Sequence, residues 1–564
     1  MPIIDYRSNT HQLAIKCAFA DNAIIRTLRS RRWDPGIKAW IMPAGAVELR
    51  DLANAFPGRI ALTPAARILV RQIREEYDRR TAARSMEDAE LIAPWSNRLR
   101  PFQRVGVSFL VSAKRAILAD DRGLGKTVQA LTALYETNAF PALIVCQATC
   151  RLTPWRDEIR KWMGEDYSIA VIGGSNQNRQ DRLALFAQNA DITVINYEST
   201  RIHEEELQAR TWGTLIVDES HLMKNPDALQ TKRILGVARR CEHVYLVTGT
   251  PILNRAQEIW TSLMAIDPRT FDPESGYWSF IRRHFEIVPD RFGVKIGGLL
   301  NPVAFRKFME PYFLRREKWE VTPEMPSKTV QRVMVEMDSR QREMYREMAA
   351  EWLVTLADGG IITVPIILAK MTRLRQIAVS PRLLDRDAPV GPKIEAVLDL
   401  LDSTEDKVVI FSQFKTALDL VEEGLEPGTY VRIDGDVPMD DRPDLINRFQ
   451  TDPDCRAFLG TIQASGLGIT LHAAATAIFM DKAWSPGVND QAQDRLHRIG
   501  QTRPVTILEI SAENSIDDWM EELLADKREI FDAVFGNQRP AETGITFSMR
   551  DWLTQWLARW NVNS

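Results

Sequence analysis

Cysteine is scarce: five residues in 564, at positions 17, 146, 150, 241 and 455. The odd count fits a reducing compartment, and no pair-of-pairs spacing suggests zinc. Cys146 and Cys150 stand four apart with nothing beside them to complete a ligand set. No apolar run is long enough to cross a bilayer. The opening residues, MPIIDYRSNTHQ, lack the basic and apolar regions of a secretory leader. An excess of one charge is also missing: 72 Lys and Arg face 76 Asp and Glu, a net −4. That total neither announces nor excludes a polyanionic partner, because a local groove matters more than the sum. The basic stretches are short; one is RTLRSRRW, with Arg26, Arg29, Arg31 and Arg32. No repeat at solenoid periods is found.

At 45% hydrophobic and 26% charged the composition is that of a globular protein, and the chain is too long for one core. Residues 1–60 read as a small module in which Asp34-Pro35-Gly36 marks a turn between two Trp-containing segments. An Arg- and Glu-rich helical connector is expected over 61–95. From Leu99 the texture changes. RAILAD, PALIVCQA, DITVINY, WGTLIVDE and HVYLVTG are strand-length apolar runs alternating with helical patterns. That is the βα alternation of a parallel sheet covered by helices. A helical stretch over 335–378 interrupts it. The alternation returns in KVVIFSQ, TYVRIDG, CRAFLGT, TAIFMDKAW and VTILEIS. The fold class is therefore α/β with two lobes: lobe 1 over 96–320, a helical linker over 321–390, lobe 2 over 391–540, and a tail over 541–564 carrying one helix, MRDWLTQWLARW.

ADDRGLGKTVQA lies between a strand and a helix. Gly123 and Gly125 permit a tight turn whose N–H groups face phosphate oxygens, and the helix start adds its positive end. Lys126 is expected to reach the β and γ phosphates of ATP, and Thr127 to hold Mg²⁺. Asp120 occupies the position where such loops carry their first Gly. About ninety residues on, Asp218 and Glu219 end the strand of TLIVDESHLM, at the edge where open α/β sheets bind ligands. Asp218 would assist Mg²⁺, and Glu219 would orient or deprotonate the attacking water. In QAQDRLHRIGQ, Gln491, Arg495 and Arg498 are spaced by four and three, so one helix face could carry them toward an anion; pairing with Asp490 or Asp494 is the alternative.

These residues lie within a series of motifs, over about 95–525, that resembles the SNF2-like group of superfamily 2 helicase-related ATPases. LRPFQRVGVSFL resembles the adenine-recognition region, with Gln103 at the reading position. ADDRGLGKT resembles motif I, and LIVCQATCRLTPWRDEIRKW motif Ia with Trp155, Glu158 and Trp162. VDESH resembles motif II, and LVTGTPILN motif III with Thr248, Thr250 and Asn254. VVIFSQF, SGLGITLHAA and QAQDRLHRIGQ resemble motifs IV, V and VI. Arg122 and Gln147 depart from the usual Met and Pro. The resemblance implies two tandem RecA-like lobes, arginine-finger roles for Arg495 and Arg498, a leading glutamine at Gln491, and coupling roles for His221, Thr248 and Asn254.

By that resemblance the track is double-stranded DNA, held mostly through phosphates. INYEST, Arg156, Thr250 and the region of Ser465 are the candidates for the face that holds it. RTLRSRRWDPGIKAWIMP resembles the HARP domain of annealing helicases: Arg26, Arg29, Arg31, Arg32 and Lys38 would meet backbone, while Trp33 and Trp40 could stack on exposed bases. The expected activity is DNA-stimulated ATP hydrolysis with translocation on duplex, together with fork remodelling or strand annealing. A motor subunit of a restriction or defence system and an ATP-gated remodeller of protein–DNA complexes are the alternatives. ATP and Mg²⁺ are the expected cofactors; forked or junction DNA and DNA-processing proteins are the expected partners, with no membrane. The compact chain is expected to be of prokaryotic or phage origin, cytoplasmic or nucleoid-associated.

Overall fold

The structure is a computed structural model that describes residues 1–28, 31–173, 177–252, 255–271, 276–290, 293–357, 364–438, 441–465 and 469–535. The chain forms two compact units that change over between Glu317 and Lys318. The first opens with a small sheet of β1 (Ile3–Arg7), β2 (Gln12–Lys16), β3 (Arg32–Asp34), β4 (Ala39–Pro43) and β5 (Ala61–Leu62), in the order β3-β4-β2-β1-β5. The expected turn joins β3 to β4, where the Asp34 carboxylate accepts from the Gly36 amide at 2.9 Å. Leu13, Ile15, Met42 and Leu52 are fully buried in its core.

The helix Pro64–Arg84 starts at Thr63, whose hydroxyl accepts from the Ala66 amide. Two of the basic side chains in this stretch, which read in the sequence as a charged connector, are taken up by the main chain of the first lobe. Arg80 donates to the Pro311 carbonyl at 3.2 Å and Arg84 to the Glu310 carbonyl at 2.6 Å. Arg283 meets Asp51 at 2.7 Å and Glu48 at 3.6 Å. A buried arginine is costly unless acids or carbonyls surround it, so these contacts seat the small sheet on the lobe.

The lobe's own sheet contains β6 (Arg115–Leu118), β7 (Ala142–Cys146), β8 (Ile169–Ile172), β9 (Ile192–Asn196), β10 (Thr214–Asp218) and β11 (His243–Val247). A hairpin of β12 (Phe285–Asp290) and β13 (Gly293–Leu299) follows, and β14 (Phe313–Leu314) rejoins the sheet. The seven strands are parallel, in the order β14-β6-β11-β10-β7-β9-β8. Every residue of β7, β9 and β11 is buried, as strands covered on both faces require. Leu215 and Val217 face one cluster and Ile216 the other, the two-residue period of a strand.

The second unit holds β15 (Lys328–Val335), β16 (Val408–Ser412), β17 (Tyr430–Ile433), β18 (Ala457–Thr461), β19 (Thr476–Phe479) and β20 (Val505–Ala512), all parallel, in the order β15-β20-β19-β16-β18-β17. The helices Ser339–Ala357 and Val364–Val379 occupy the strandless stretch between β15 and β16. Taken rank for rank, this order is that of β6-β11-β10-β7-β9-β8. The two lobes thus share one topology, and β14 is the addition peculiar to the first. The tail helix expected over 541–564 lies outside the described residues.

Candidate functional site

Three neighbouring strands deliver the site. β6, β11 and β10 are adjacent and parallel, so the segments leaving their C-terminal ends gather at one edge of the sheet. The loop after β6 turns through Gly123 (φ 83°) and Gly125 (φ 74°), conformations open to glycine, and Lys126 begins the helix Lys126–Thr137. A β-carbon on Gly125 would stand 2.4 Å from Gln103 Nε2. The structure therefore brings Gln103, 22 residues before Gly125 in the chain, against the loop. Lys126 Nζ donates to the loop's own carbonyls, Asp120 at 2.7 Å and Asp121 at 3.0 Å. Thr127 follows it in the first turn of the helix.

Asp120, the departure from the usual loop, is fully buried. Its carboxylate accepts from Arg316 Nε at 2.9 Å and from Gln129 Nε2 at 3.2 Å, and Arg316 also donates to the Phe102 carbonyl. The loop backbone is bonded to the same segment: Ala119 N–H donates to the Leu314 carbonyl at 2.7 Å and Asp121 N–H to the Arg316 carbonyl at 2.9 Å. Sequence reasoning missed Arg316. The signal was a buried acid in the loop that needs a cation, and an Arg pair directly after a strand-length FL.

β10 ends in the acid pair. Glu219 adopts a left-handed conformation (φ 47°), a strained geometry for a residue with a side chain and one that concentrates at functional sites. Its carboxylate lies 3.3 Å from His221 Nδ1, which is in turn 3.0 Å from Thr248 Oγ1 beyond β11. Thr248 is fully buried and accepts from the Thr250 amide at 3.1 Å. Asp218 Oδ2 accepts from the Trp155 indole N–H at 2.8 Å. Burial, and then the charge of Glu219, push the Asp218 carboxyl up to about 7, against the opposing effects of Trp155 and Lys126. Two acids this close in a dry site are a poor pair by themselves. Asp218 is the member of the pair that could hold a divalent cation such as Mg²⁺.

In the second unit the expected helix face does not form. The helix Pro486–Gln493 ends before either arginine, because the chain tightens there: Arg495 N–H goes back to the Ala492 carbonyl and Leu496 N–H to the Gln493 carbonyl. The two arginines still converge, through a different element. Arg495 donates to the Ile469 carbonyl at 3.2 Å, and Arg498 to that same carbonyl at 3.4 Å and to Thr470 Oγ1 at 2.6 Å. The alternative pairing partners are otherwise engaged, Asp494 with Lys318 and Asp490 with Arg528. Gln491 lies in the helix, its carbonyl accepting from Arg495 Nε at 3.2 Å.

The candidates for nucleic acid are placed unevenly. Arg156 is partly exposed and pairs with Asp157 at 3.0 Å. Thr250 is buried, so its hydroxyl does not lie on an open face. In INYEST, Tyr197, Ser199 and Thr200 are buried and only Glu198 is exposed. Arg26, Arg31 and Arg32 are exposed on the small module, with one Arg31 nitrogen donating to the Leu28 carbonyl at 2.6 Å. Trp33 is 46% exposed and rests edge-on against Trp40 at 5.3 Å; the Trp40 indole is tied to Asn22 Oδ1 at 2.8 Å. Of the two tryptophans, Trp33 therefore offers the open ring. Arg29 and Asn254 lie outside the described residues, and nothing is described of the Ser465 side chain.

Residues 102–383 match the SNF2-related domain and residues 392–500 the helicase conserved C-terminal domain. The chain is 31% identical over 445 residues to the bovine DNA annealing helicase and endonuclease ZRANB3, covering 77% of this chain and 40% of that protein. It is 28% identical over 523 residues to the Xenopus tropicalis SWI/SNF-related matrix-associated actin-dependent regulator of chromatin subfamily A-like protein 1, covering 89% of this chain and 52% of that one. The chain thus spans about half the length of these relatives or less. Among solved structures, the Sulfolobus solfataricus SWI2/SNF2 ATPase core in complex with dsDNA is similar, with 24% identity, a TM-score of 0.37, and 78% of this chain and 93% of that chain covered. These comparisons overturn the expected prokaryotic or phage origin and the cytoplasmic or nucleoid location drawn from it. The relatives come from cattle, human, mouse, frogs, fly and a fungus, and the solved structures from an archaeon. Compactness alone had carried that expectation, and chain length does not encode source.

Proposed function

The chain belongs to the SNF2-related, ATP-hydrolysing, helicase-related enzymes, and we propose that it couples ATP hydrolysis to movement along double-stranded DNA. One observation carries this reading: Lys126, the Asp218–Glu219 pair and the His221–Thr248 contact are gathered on three adjacent strand ends. Enzymes of this family use ATP with Mg²⁺. Here Gly123, Gly125, Lys126 and Thr127 would bind the phosphates and Gln103 the adenine, with Gln491 on the second lobe. Thr127 and Asp218 would hold Mg²⁺, which when bound neutralises charge developing on the phosphate oxygens.

Lys126 then exchanges the carbonyls of Asp120 and Asp121 for phosphate oxygens. Glu219 takes the proton of the attacking water, and its strained backbone fixes where that carboxylate stands. Arg495 and Arg498 meet the γ-phosphate in place of the Ile469 carbonyl and the Thr470 hydroxyl. His221, Thr248 and Asn254 couple the acid pair to the DNA-facing segments around Arg156, Tyr197–Thr200 and Ser465. We read the small N-terminal sheet as HARP-like, with Arg26, Arg29, Arg31, Arg32 and Trp33 directing the motor to forked or junction DNA. The annealing activity named for the bovine relative supports that finer reading. DNA-processing proteins are the expected partners.

The test is ATP turnover by the full chain with no DNA, single strands, blunt duplex and a fork. Stimulation by duplex, and further stimulation by the fork, is the expected order. Turnover indifferent to duplex removes the translocase reading, and equal turnover on duplex and fork removes the fork reading alone.

A further inference from the structure

Two segments of the proposed DNA-facing surface each send a polar-tipped aromatic ring inward to the acid pair. Trp155 is 0% exposed, and its indole N–H donates to the Asp218 carboxylate at 2.8 Å. Tyr197 is 2% exposed, and its hydroxyl donates to the main-chain carbonyls of Asp218 at 2.7 Å and Glu219 at 3.2 Å. Packing alone would be served by phenylalanine at either place. The indole N–H is what reaches the Asp218 carboxylate, and the phenol O–H is what reaches the carbonyls of the acid pair.

Chain connectivity gives these contacts their meaning. Trp155 is one peptide bond from the partly exposed Arg156. Both lie in a π-helical turn, Arg151–Arg156, that runs into the helix Asp157–Met163. Such turns are rare, and they concentrate at functional sites. Tyr197 opens the short turn Tyr197–Thr200 directly after β9. One aromatic thus fixes the carboxylate of Asp218, and the other fixes the backbone on which the left-handed Glu219 sits.

We propose that Trp155 and Tyr197 are positioning residues that convey occupancy of the DNA-facing segments to the acid pair. Duplex backbone drawn to the Arg156 side moves the π-helical turn, and with it the indole that orients Asp218. Backbone at the Tyr197–Thr200 turn does the same for Glu219 through the phenol. The proposal rests on the translocase reading and adds to it a route separate from His221 and Thr248. Coupling of this kind is reciprocal in binding: if DNA improves the site for nucleotide, nucleotide must change DNA affinity by the same factor.

The experiment uses the full chain and the variants Trp155→Phe and Tyr197→Phe. Anisotropy gives the affinity for a labelled blunt duplex with and without a non-hydrolysable ATP analogue and Mg²⁺. A fluorescent ATP analogue gives the reciprocal measurement, and steady-state turnover gives kcat and KM with and without duplex. The unsubstituted chain should show a coupling factor of about 5- to 150-fold. Each variant should bind duplex alone and nucleotide alone nearly as before, while its coupling factor falls toward one. In the variants duplex should no longer raise kcat or shift KM for ATP, while KM without duplex stays near that of the unsubstituted chain. Tyr197→Phe removes a single hydroxyl, so it keeps the question answerable should Trp155→Phe fail to fold in a thermal melt. An undiminished coupling factor in the folded variants overturns this proposal and leaves the translocase reading standing. Absence of any coupling or duplex stimulation in the unsubstituted chain takes both down.

Discussion

The two large sheets have the same strand order, yet only the first follows its opening strand with a loop turned through glycines, Gly123 and Gly125, into a helix. The difference begins at their corresponding first strands. β6 is an inner strand with three of its four residues buried, whereas β15 is an edge strand with six of its eight residues exposed. What makes β6 an inner strand is β14, the short addition that pairs along it and carries Arg315 and Arg316 past its end. β14 therefore does two things at once. It replaces the open edge of β6 with a two-residue one, and short edge strands are one way a sheet limits its exposed edge. It also brings a guanidinium to the buried Asp120 at the start of the proposed phosphate loop. A shared topology places a loop after the first strand of each lobe; the added strand ties one of those loops down through the Leu314 and Arg316 carbonyls. In the second lobe the arginines proposed to meet the γ-phosphate, Arg495 and Arg498, are held beside Ile469 and Thr470.

The division of labour is tested hardest by Arg498→Ala. If the second lobe's part is to complete the charge around the γ-phosphate, turnover falls about 10³-fold or more, while ATP and duplex affinities stay near those of the unsubstituted chain. Steady-state turnover beside binding titrations reads both. Unchanged turnover in folded protein would reduce Arg498 to a local hydrogen-bonding role in its own lobe.

The first lobe's share is sharpened by Glu219→Gln. Loss of a general base costs about 10²- to 10⁴-fold in rate, and nucleotide binding should survive because Gly123, Gly125, Lys126 and Thr127 are untouched. Lys126→Ala should do the opposite and weaken ATP binding first. The same two measurements separate them, and normal turnover in Glu219→Gln removes the assigned base.

Much of the site was legible because its signals are local. A Gly-Leu-Gly-Lys-Thr turn between strand and helix, and two acids after three apolar residues, are short stretches whose chemistry is constrained by neighbours in sequence. Arg316 was not legible, because it meets Asp120 across 196 residues and only the insertion of β14 makes them neighbours. The common face for Gln491, Arg495 and Arg498 was misread because spacing presumes that a helix continues, and this one stops at Gln493. The lobes' shared strand order was equally hidden: buried parallel strands require apolar residues, and not particular ones. Nor did charge composition show that Arg80, Arg84 and Arg283 seat the small sheet on the lobe, since their partners are carbonyls and acids distant in the chain.

The role given to β14 can be broken by Arg316→Leu. Removing one partner of a buried ion pair costs about 3–5 kcal/mol when the other charge is left behind, so the melting transition should drop and ATP affinity should weaken with it. Combining Arg316→Leu with Asp120→Leu should recover much of the melting temperature, because no charge is then stranded. ATP affinity should stay low, because the loop has lost its clamp. Denaturation and nucleotide titration of the single and double variants check this, and a double variant that binds ATP normally would show that the pair serves stability alone.

The smallest effect belongs to the N-terminal module, where the comparison is between a surface that holds DNA and one that is merely solvated. Deleting the module is a poor probe, because Arg283 would lose Asp51 and Glu48 and the lobe itself would be disturbed. Changing Arg31 and Arg32 together to Ala is cleaner. Both are exposed, and the only described contact that the change removes is the bond from Arg31 to the Leu28 carbonyl. Each arginine that neutralises a phosphate releases about 0.9 counterion on duplex DNA. The double variant should therefore bind a fork more weakly, with the slope of log affinity against log salt shallower by about 1 to 2. Affinity for plain duplex and turnover on it should change less, because the residues of the proposed chemistry lie from Gln103 onward. Trp33→Ala should act on the fork without changing the slope, since a stacked ring releases no counterions. Fork and duplex affinities measured over a salt series, with circular dichroism to show the fold intact, decide the matter. If the double variant keeps both affinities and both slopes, the basic segment is a solvated face and the module's contribution must be sought in how it seats on the lobe.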